Sequence, residues 1–172
     1  EKNKRWIGVV KMKLFRVSQK AFIRNDEGQL LLVRFSPNLH DPKLRGLWDI
    51  PGGGVEFGES LESAFDREVK EEIGVEVKRG DIITVWDWLA TPKPIQGKAY
   101  KSIDGNDYHG IILGFDAQYI GGEIKLNEEH DRHEWIDPYR WREFNTGFEL
   151  RKIERIWKDY LRWYETHISK TD

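Results

Sequence analysis

Between Ser60 and Gly74, apolar residues recur at every fourth position, which predicts an amphipathic helix with one buried face. Ser60 is a suitable N-cap residue, and Gly74 suits the position that follows the last helical turn. Apolar and aromatic residues return with helical spacing over 148–168, so a second long helix is predicted there. The buried stripe of the first helix comprises Leu61, Phe65, Val69 and Ile73.

Runs rich in β-branched and aromatic residues predict strands before, between and after these helices. The predicted strands cover residues 7–15, 21–24, 30–34, 48–50, 75–77, 82–89, 108–117 and 133–136. Strands and helices in this order are typical of an α/β fold, and we expect a mixed sheet. No linker or low-complexity segment divides the chain. We therefore predict a single domain over 1–172, with an N-terminal strand extension (about 1–17) and a C-terminal helix (about 148–168).

The composition excludes several classes of protein. No run of 18 apolar residues occurs in the 172 residues, so no membrane span is predicted. The basic, mixed first 20 residues contain no apolar core of a signal peptide. The chain has no cysteine, which excludes disulfides, thiolate zinc sites and cysteine nucleophiles and favours a cytoplasmic protein. No aromatic–basic RNA-binding motif is present, so no nucleic-acid partner is predicted.

The net charge of −2 conceals an uneven distribution of charge. Residues 56–76 contain eight acidic and two basic side chains. Such a block is a disordered segment, a solvated helix face or a cation site. The apolar stripe that runs through the block argues against disorder.

Three carboxylates on the predicted helix favour the cation site. Glu68, Glu71 and Glu72 lie at i, i+3 and i+4, within about 100° of arc on the helix. Like charges at this spacing destabilise an isolated helix by a few tenths of a kcal/mol per pair, roughly. These carboxylates also adjoin the stripe that must be buried. Oxygen ligands gathered in this way indicate Mg²⁺ or Mn²⁺.

Residues around the acidic face suit the same chemistry. The guanidinium of Arg67, one turn before Glu71, can hold a carboxylate in a fixed orientation, and Glu59 is a candidate partner. The glycines at 52–54 allow the backbone to pass close to a ligand, and a carbonyl of this loop can join the oxygen shell of a metal.

The spacing of these residues resembles an unbroken Nudix box over residues 53–75. Its fixed positions are Gly53, Glu59, Arg67-Glu68, Glu71-Glu72 and Gly74, with apolar Val69 and Val75 where the motif requires them. At roughly 5–7% frequency per residue type, seven matches occur by chance in about one start in 10⁸. The order of strands around the box also resembles the Nudix family over most of the chain.

The resemblance implies an α/β/α sandwich with a mixed β-sheet, in which the box forms a loop–helix–loop. It also implies Mg²⁺- or Mn²⁺-dependent hydrolysis of a nucleoside diphosphate linked to another group. By motif position, the metal ligands would be Glu68, Glu71 and Glu72, with a carbonyl of Gly52 or Gly53. Arg67 and Glu59 would orient the carboxylates. The general base is left open between Glu68 and Glu72.

Further candidates lie outside the box. Glu129 resembles the acidic loop residue that, in many Nudix proteins, reaches the metals or the water, although a solvated turn is the simpler interpretation. Arg34 and Arg45 are candidate phosphate contacts, or plain surface charges. Three aromatic residues, Trp86, Trp88 and Tyr100, are candidates for stacking on a base. Trp86 and Trp88 share a strand face, and burial of this face in the core is the simpler interpretation for both.

The substrate class stays broad at this point: an NTP or dNTP, an NDP-sugar, ADP-ribose or a dinucleoside polyphosphate. Two alternatives are a catalytically inactive Nudix-fold module that binds a nucleotide or a protein, and an enzyme of the GDP-mannose mannosyl hydrolase type. The partner expected is a nucleotide-like small molecule. A homodimer is also considered, because the last helix is rich in aromatic residues that form either an interface or core packing.

Overall fold

The computed structural model describes residues 12–92, 100–102, 104–146 and 150–169. The helices are α1 (Leu61–Ile73) and α2 (Leu150–His167), and a 3₁₀ helix covers Pro138–Glu143. The seven strands are β1 (Lys13–Arg24), β2 (Leu30–Phe35), β3 (Trp48–Asp49), β4 (Glu76–Thr91), β5 (Tyr100–Lys101), β6 (Asp107–Gly121) and β7 (His130–Ile136).

The sheet is mixed, as predicted. Its order is β3-β2-β1-β6-β4-β5, and β7 pairs with β2. Strands β1 and β6 are parallel along their length, from Lys13 opposite Asp107 to Arg24 opposite Gln118. Strand β4 is antiparallel to β6, whereas β2 is antiparallel to both β3 and β7.

Alternating residues of the central strands serve two separate cores. In β1, Ala21 and Ile23 face the core under α1, whereas Phe22 faces the core under α2. In β2, Leu31 packs on the α1 side and Leu32 on the α2 side. The sheet therefore lies between two helices, which is the predicted α/β/α sandwich.

The ends of α1 follow the predicted signals. Ser60 accepts a hydrogen bond from the backbone N–H of Ser63 (3.1 Å), and Gly74 adopts a left-handed conformation with φ 72°. Of the predicted stripe, Phe65, Val69 and Ile73 are buried. Leu61 is 38% exposed, because it lies in the first turn, beyond the edge of the sheet core.

Two strands each unite two predicted strands, and β2, β6 and β7 also extend beyond their predicted ranges. Strand β1 joins the end of the predicted strand 7–15 to 21–24, and residues 1–11 lie outside the described part. Strand β4 likewise unites 75–77 with 82–89 across an irregular register between Arg79 and Thr84. The polar pair Gln19 and Lys20 interrupts the apolar pattern of β1, although the strand passes straight through it.

The aromatic residues of the last helix belong to the core. Trp157 and Tyr160 are buried against the sheet, with Tyr160 stacked on Phe22 at a centroid distance of 4.8 Å. Trp163 and Tyr164 are half-buried at the edge of the same core. These four aromatic side chains of α2 therefore pack within the chain. Within the described residues, no helix is both long and apolar enough to span a membrane.

Candidate functional site

The glycine segment after β3 lies directly on β1. The carbonyl of Pro51 accepts the N–H of Ala21, and the carbonyl of Gly53 accepts the N–H of Gln19, each at 2.8 Å. At Gly52, φ is 124° and a β-carbon would lie 2.3 Å from the Gln19 carbonyl oxygen. Only glycine fits this close approach of two backbones. The segment is therefore held rigidly at the centre of the sheet.

The first carboxylate of the site is bound to this segment. Oε2 of Glu72 accepts the backbone N–H of Gly52 at 2.7 Å, and the Glu72 residue is only 7% exposed. Burial raises the pKa of Glu72 to about 7, although the Lys20 ammonium and the bond from Gly52 act in the opposite direction. A carboxylate is therefore kept in a position where its charge is poorly solvated.

The second carboxylate lies against the neighbouring glycine. A β-carbon at Gly53 would lie 2.4 Å from Oε2 of Glu68, so the absence of a side chain there makes room for the acid. Glu68 also adds to the electrostatic field that raises the pKa of Glu72. Two acidic side chains of one helix face thus flank a two-residue stretch of glycine backbone.

Arg67 ties the remaining box residues together. Its guanidinium donates to both oxygens of Glu59 (2.8 and 2.9 Å), to Glu68 (2.8 Å) and to Glu71 (3.2 Å). It also donates to the carbonyl of Gly54 at 3.0 Å. Hydrogen bonds from Arg67 lower the pKa of Glu59 to about 2. The predicted role of Arg67 and Glu59 in orienting carboxylates agrees with these contacts.

The donor types at this site suit a hard divalent cation. Glu68 and Glu72 provide carboxylate oxygens, which Mg²⁺ prefers, on either side of backbone carbonyls. Glu71 is turned towards Arg67, with 60% of its side chain exposed. Among the described residues no three acidic or histidine side chains are already gathered around one point. Glu71 would join the other two only after its side chain leaves Arg67.

The two glycines offered as carbonyl donors differ in their contacts. The Gly53 carbonyl is already bonded to β1 through the N–H of Gln19. The N–H of Gly52 donates to Glu72. The residues present therefore fit a magnesium site in ligand chemistry.

A large cavity opens on the other side of the glycine segment. Its volume is about 640 Å³, large enough for a nucleoside, and Gly52 and Gly53 form part of its wall. Aromatic rings of Phe35, Trp48 and Trp88 line it. A β-carbon at Gly110 would overlap the Trp88 indole, at 2.0 Å from Nε1, so this glycine lets the ring lie on β6.

Lys20 and Asp49 also line the cavity, and sequence reasoning missed both. Lys20 Nζ lies 2.7 Å from Asp49 Oδ2, and the side chains are 13% and 8% exposed. Burial opposes the charged form of Lys20, but attraction to Asp49, Glu72 and Glu68 outweighs it and raises the pKa of the lysine. Asp49 stands between the apolar residues Trp48 and Ile50, which was the available signal, whereas Lys20 follows the polar Gln19 and gave none.

The other predicted site residues are dispersed. Arg34 forms an ion pair with Asp131 (2.5 Å), and Arg45 donates to the carbonyl of Leu39 (2.7 Å). Trp86 is 5% exposed and packs within the core under α2, so it presents no face for stacking; its neighbour Trp88 takes the place at the cavity. Glu129 is exposed in the turn before β7.

The aromatic candidate of the long loop is described only by its backbone. Tyr100 lies in β5, paired with Ala90 at the edge of the sheet. Residues 93–99 and 103, on either side of this short strand, lie outside the described part. Pro92 precedes the first of these gaps.

The chain is similar in sequence and in fold to known proteins. The nucleoside triphosphatase NudI of Escherichia coli is 32% identical over 111 residues, which cover 64% of this chain and 76% of that protein. A MutT protein from Methanosarcina mazei Go1 superimposes with a TM-score of 0.67 at 26% identity, covering 92% of this chain and 99% of that chain.

A third similarity extends the fold comparison. An Ap4A hydrolase from C. elegans has a TM-score of 0.60 at 15% identity, covering 88% of this chain and 98% of that chain, and shows a shared fold. The sequence model of the NUDIX domain matches residues 14–164, which is most of the chain. The box that was identified by its spacing lies within this match and forms the loop–helix–loop described above. The chain therefore belongs to the Nudix family of hydrolases.

Proposed function

We propose that this protein hydrolyses the diphosphate bond of a nucleoside diphosphate linked to another group. One observation carries the proposal: the acidic face of α1 and the 640 Å³ cavity meet at the same two glycines, Gly52 and Gly53. A substrate with its nucleoside in the cavity would place its phosphates beside Glu68 and Glu72.

The names of similar proteins support the same bond type. The relative from E. coli is called a nucleoside triphosphatase, and solved structures with the same fold are called an ADP-ribose pyrophosphatase and an Ap4A hydrolase. Each of these names describes a substrate with linked phosphates. We therefore keep the proposal at the level of the bond that is broken and leave the group beyond it open.

The reaction needs positive charge beside the diphosphate, and we propose Mg²⁺ or Mn²⁺ as its source. Glu68, Glu71 and Glu72 would hold the ion, with a carbonyl of Gly52 or Gly53. When bound, the ion neutralises phosphate charge and makes a water more acidic. The chain itself supplies the positioning. Arg67 bonds Glu59, Glu68 and Glu71 through one guanidinium, so it links the orientation of Glu68, beside the glycine segment, to that of Glu59.

Proton transfer requires a base, and two carboxylates compete for the role. Glu68 and Glu72 both lie beside the glycine segment, so either is placed to take a proton from the attacking water. Glu129 is a third acidic group, which we propose approaches the site from the turn before β7. Arg34 and Arg45 are proposed only as outer contacts for phosphate, since each already has a partner within the chain.

A product-release assay tests the function. Purified protein is incubated with Mg²⁺ and NTPs, NDP-sugars, ADP-ribose, NADH and diadenosine polyphosphates. We expect turnover of at least one of them, abolished by Glu68→Gln, Glu71→Gln and Glu72→Gln in combination. Glu123→Gln, which changes an exposed acid outside the box, is the matched control and keeps wild-type activity.

Two outcomes would contradict the proposal. Turnover that survives the triple substitution would remove the acidic face from the mechanism. Binding of a nucleotide without turnover, unchanged in the triple variant, would instead indicate an inactive Nudix-fold binding module.

A cytoplasmic location, a homodimer and a single domain over the whole chain stay predictions. Sedimentation of the purified protein tests the second.

A further inference from the structure

The buried ion pair of Lys20 and Asp49 is not part of the Nudix box, yet it adjoins the proposed active site. Lys20 lies in the middle of β1 and Asp49 at the end of β3, so two strands fix the pair. Asp49 has further support, because its Oδ1 accepts the backbone N–H of Ile50 at 2.8 Å. Asp49 therefore holds the lysine from a carboxylate that cannot easily turn away.

The pair lies in the cavity wall and close to the carboxylates of α1. Lys20, Asp49, Gly52 and Gly53 all line the cavity wall. Gly52 bonds Glu72 on its other side, and Lys20 is close enough for Glu72 and Glu68 to interact with its charge. The Lys20 ammonium therefore both lines the cavity and interacts with two carboxylates of the acidic face.

The ammonium has bonding capacity beyond its partner. Lysine carries three donors, and in the described part of the chain one of them is assigned, to Asp49. The remaining donors lie in a cavity wall that is apolar over most of its area, as at Leu47, and that also carries Arg16, Asp41 and Asp104. In such surroundings a charged donor binds an anion more strongly than in water.

We infer that Lys20 binds the phosphate attached directly to the nucleoside, with Asp49 as the residue that positions it. This inference rests on the proposed function, because it takes the substrate to be a nucleotide whose outer phosphate lies at the acidic face. Lys20 then distinguishes substrates with a phosphate at this point from those with an uncharged linker. The acidic face handles the bond to be broken, and Lys20 holds the part that stays in the cavity.

Binding of products tests this role without turnover. The four common nucleoside 5′-monophosphates and their nucleosides are titrated into the protein with Mg²⁺ by calorimetry. A monophosphate has no diphosphate bond to hydrolyse. For at least one base we expect Lys20→Met to weaken binding of the monophosphate by about 10-fold, since charge-assisted hydrogen bonds contribute this much. The affinity of the matching nucleoside stays within about 2-fold, because it lacks the charge that Lys20 binds.

Three variants control the experiment. Lys20→Arg retains the charge. It should therefore keep most of the difference in affinity between the monophosphate and its nucleoside. Lys70→Met removes an exposed lysine from α1 and should change neither affinity. Lys20→Met leaves Asp49 buried and unpaired, so the double variant Lys20→Met/Asp49→Asn is measured beside it and decides the result if the single variant fails to fold.

Two results would overturn the inference. One is a monophosphate affinity that is unchanged in Lys20→Met or in the double variant. The other is an equal loss for nucleoside and monophosphate, which would mean that the pair only supports the cavity. Because the titration does not depend on catalysis, a protein with no hydrolase activity but a Lys20-dependent phosphate contact would contradict the proposed function alone.

Discussion

Arg67 binds Glu59 through two parallel hydrogen bonds, from Nε to Oε1 at 2.8 Å and from Nη2 to Oε2 at 2.9 Å. The same guanidinium reaches Glu68 with its third nitrogen, also at 2.8 Å. A planar fork with fixed donors is needed to bind two carboxylates in one plane. The orientation of Glu68 is therefore linked to Glu59, which lies before the helix begins.

We expect Arg67→Lys to reduce turnover although it keeps the charge. A lysine has no fork, so it cannot hold Glu59 and Glu68 together, and the acids lose their common orientation. Loss of such supporting contacts typically costs about 10- to 100-fold in activity or metal affinity. Steady-state kinetics and Mn²⁺ binding followed by electron paramagnetic resonance measure both. Unchanged values for both would show that Arg67 only stabilises the fold.

Substitution of the three glycines by alanine should give three different results. Gly54→Ala should have little effect, because no atom of the described residues beyond its chain neighbours lies within 4 Å of the added β-carbon. Gly53→Ala pushes on the Glu68 carboxylate at 2.4 Å, which can move, so the fold persists while turnover falls by about 10- to 100-fold. Gly52→Ala meets backbone at 2.3 Å in a left-handed conformation and should cost about 2 kcal/mol or more of stability.

Thermal unfolding and turnover of the same three variants separate these effects. An active Gly53→Ala variant would show that Glu68 is not needed at its observed position. A stable Gly52→Ala variant would show that the loop is not held against β1.

Glu72→Gln should change stability and activity in opposite directions. Burial raises the pKa of Glu72 to about 7, so the folded state binds this proton more tightly than the unfolded chain. Without metal, wild-type stability therefore falls as the pH rises from about 4.5 through 7, by about 1–3 kcal/mol. Glutamine carries no charge at any of these pH values, so the variant does not lose stability in this way. It should therefore be the more stable protein above pH 7.

Denaturant unfolding at pH 5 and pH 8 in EDTA measures the stability of both proteins. In a separate assay with Mg²⁺, turnover by the variant should be about 100-fold or more below that of wild type. A variant less stable than wild type at pH 8 would contradict the account of Glu72. Equal activity would remove it from the list of metal ligands.

Acid should destabilise the protein through His130. This histidine is buried and stacks on Phe35 at a centroid distance of 5.1 Å. Burial, with the nearby Lys20 ammonium, lowers its pKa to about 4. The stability that depends on neutral His130 is complete above pH 6.5 and is lost as the pH falls towards 4, by about 1–3 kcal/mol.

Unfolding of wild type and His130→Gln between pH 4 and 8 isolates this contribution. The difference in free energy between the two proteins should shrink as the pH falls. A constant difference would mean that His130 titrates alike in the folded and unfolded states.

The sequence predicted the parts of this structure that depend on local pattern. The spacing from Gly53 to Val75 was sufficient for α1, its caps and the acidic face, because helix geometry fixes where residues 3 and 4 positions apart lie. Contacts between residues far apart in the chain could not be predicted from local pattern. Lys20 and Asp49 are 29 residues apart, and only the contact between β3 and the neighbouring strands brings them together. Trp86 and Trp88 share a strand face, and the coverage by α2 decides which of them is buried.

In the proposed reaction, water attacks phosphorus at a site built from the acidic face of α1. The most direct measurement is hydrolysis of the preferred nucleotide in H₂¹⁸O with Mg²⁺, followed by mass spectrometry of both products. We predict turnover with ¹⁸O in a phosphate-containing product as part of a new phosphorus–oxygen bond. Label on a sugar carbon, as in a GDP-mannose mannosyl hydrolase, or no turnover of any nucleotide, would contradict the account.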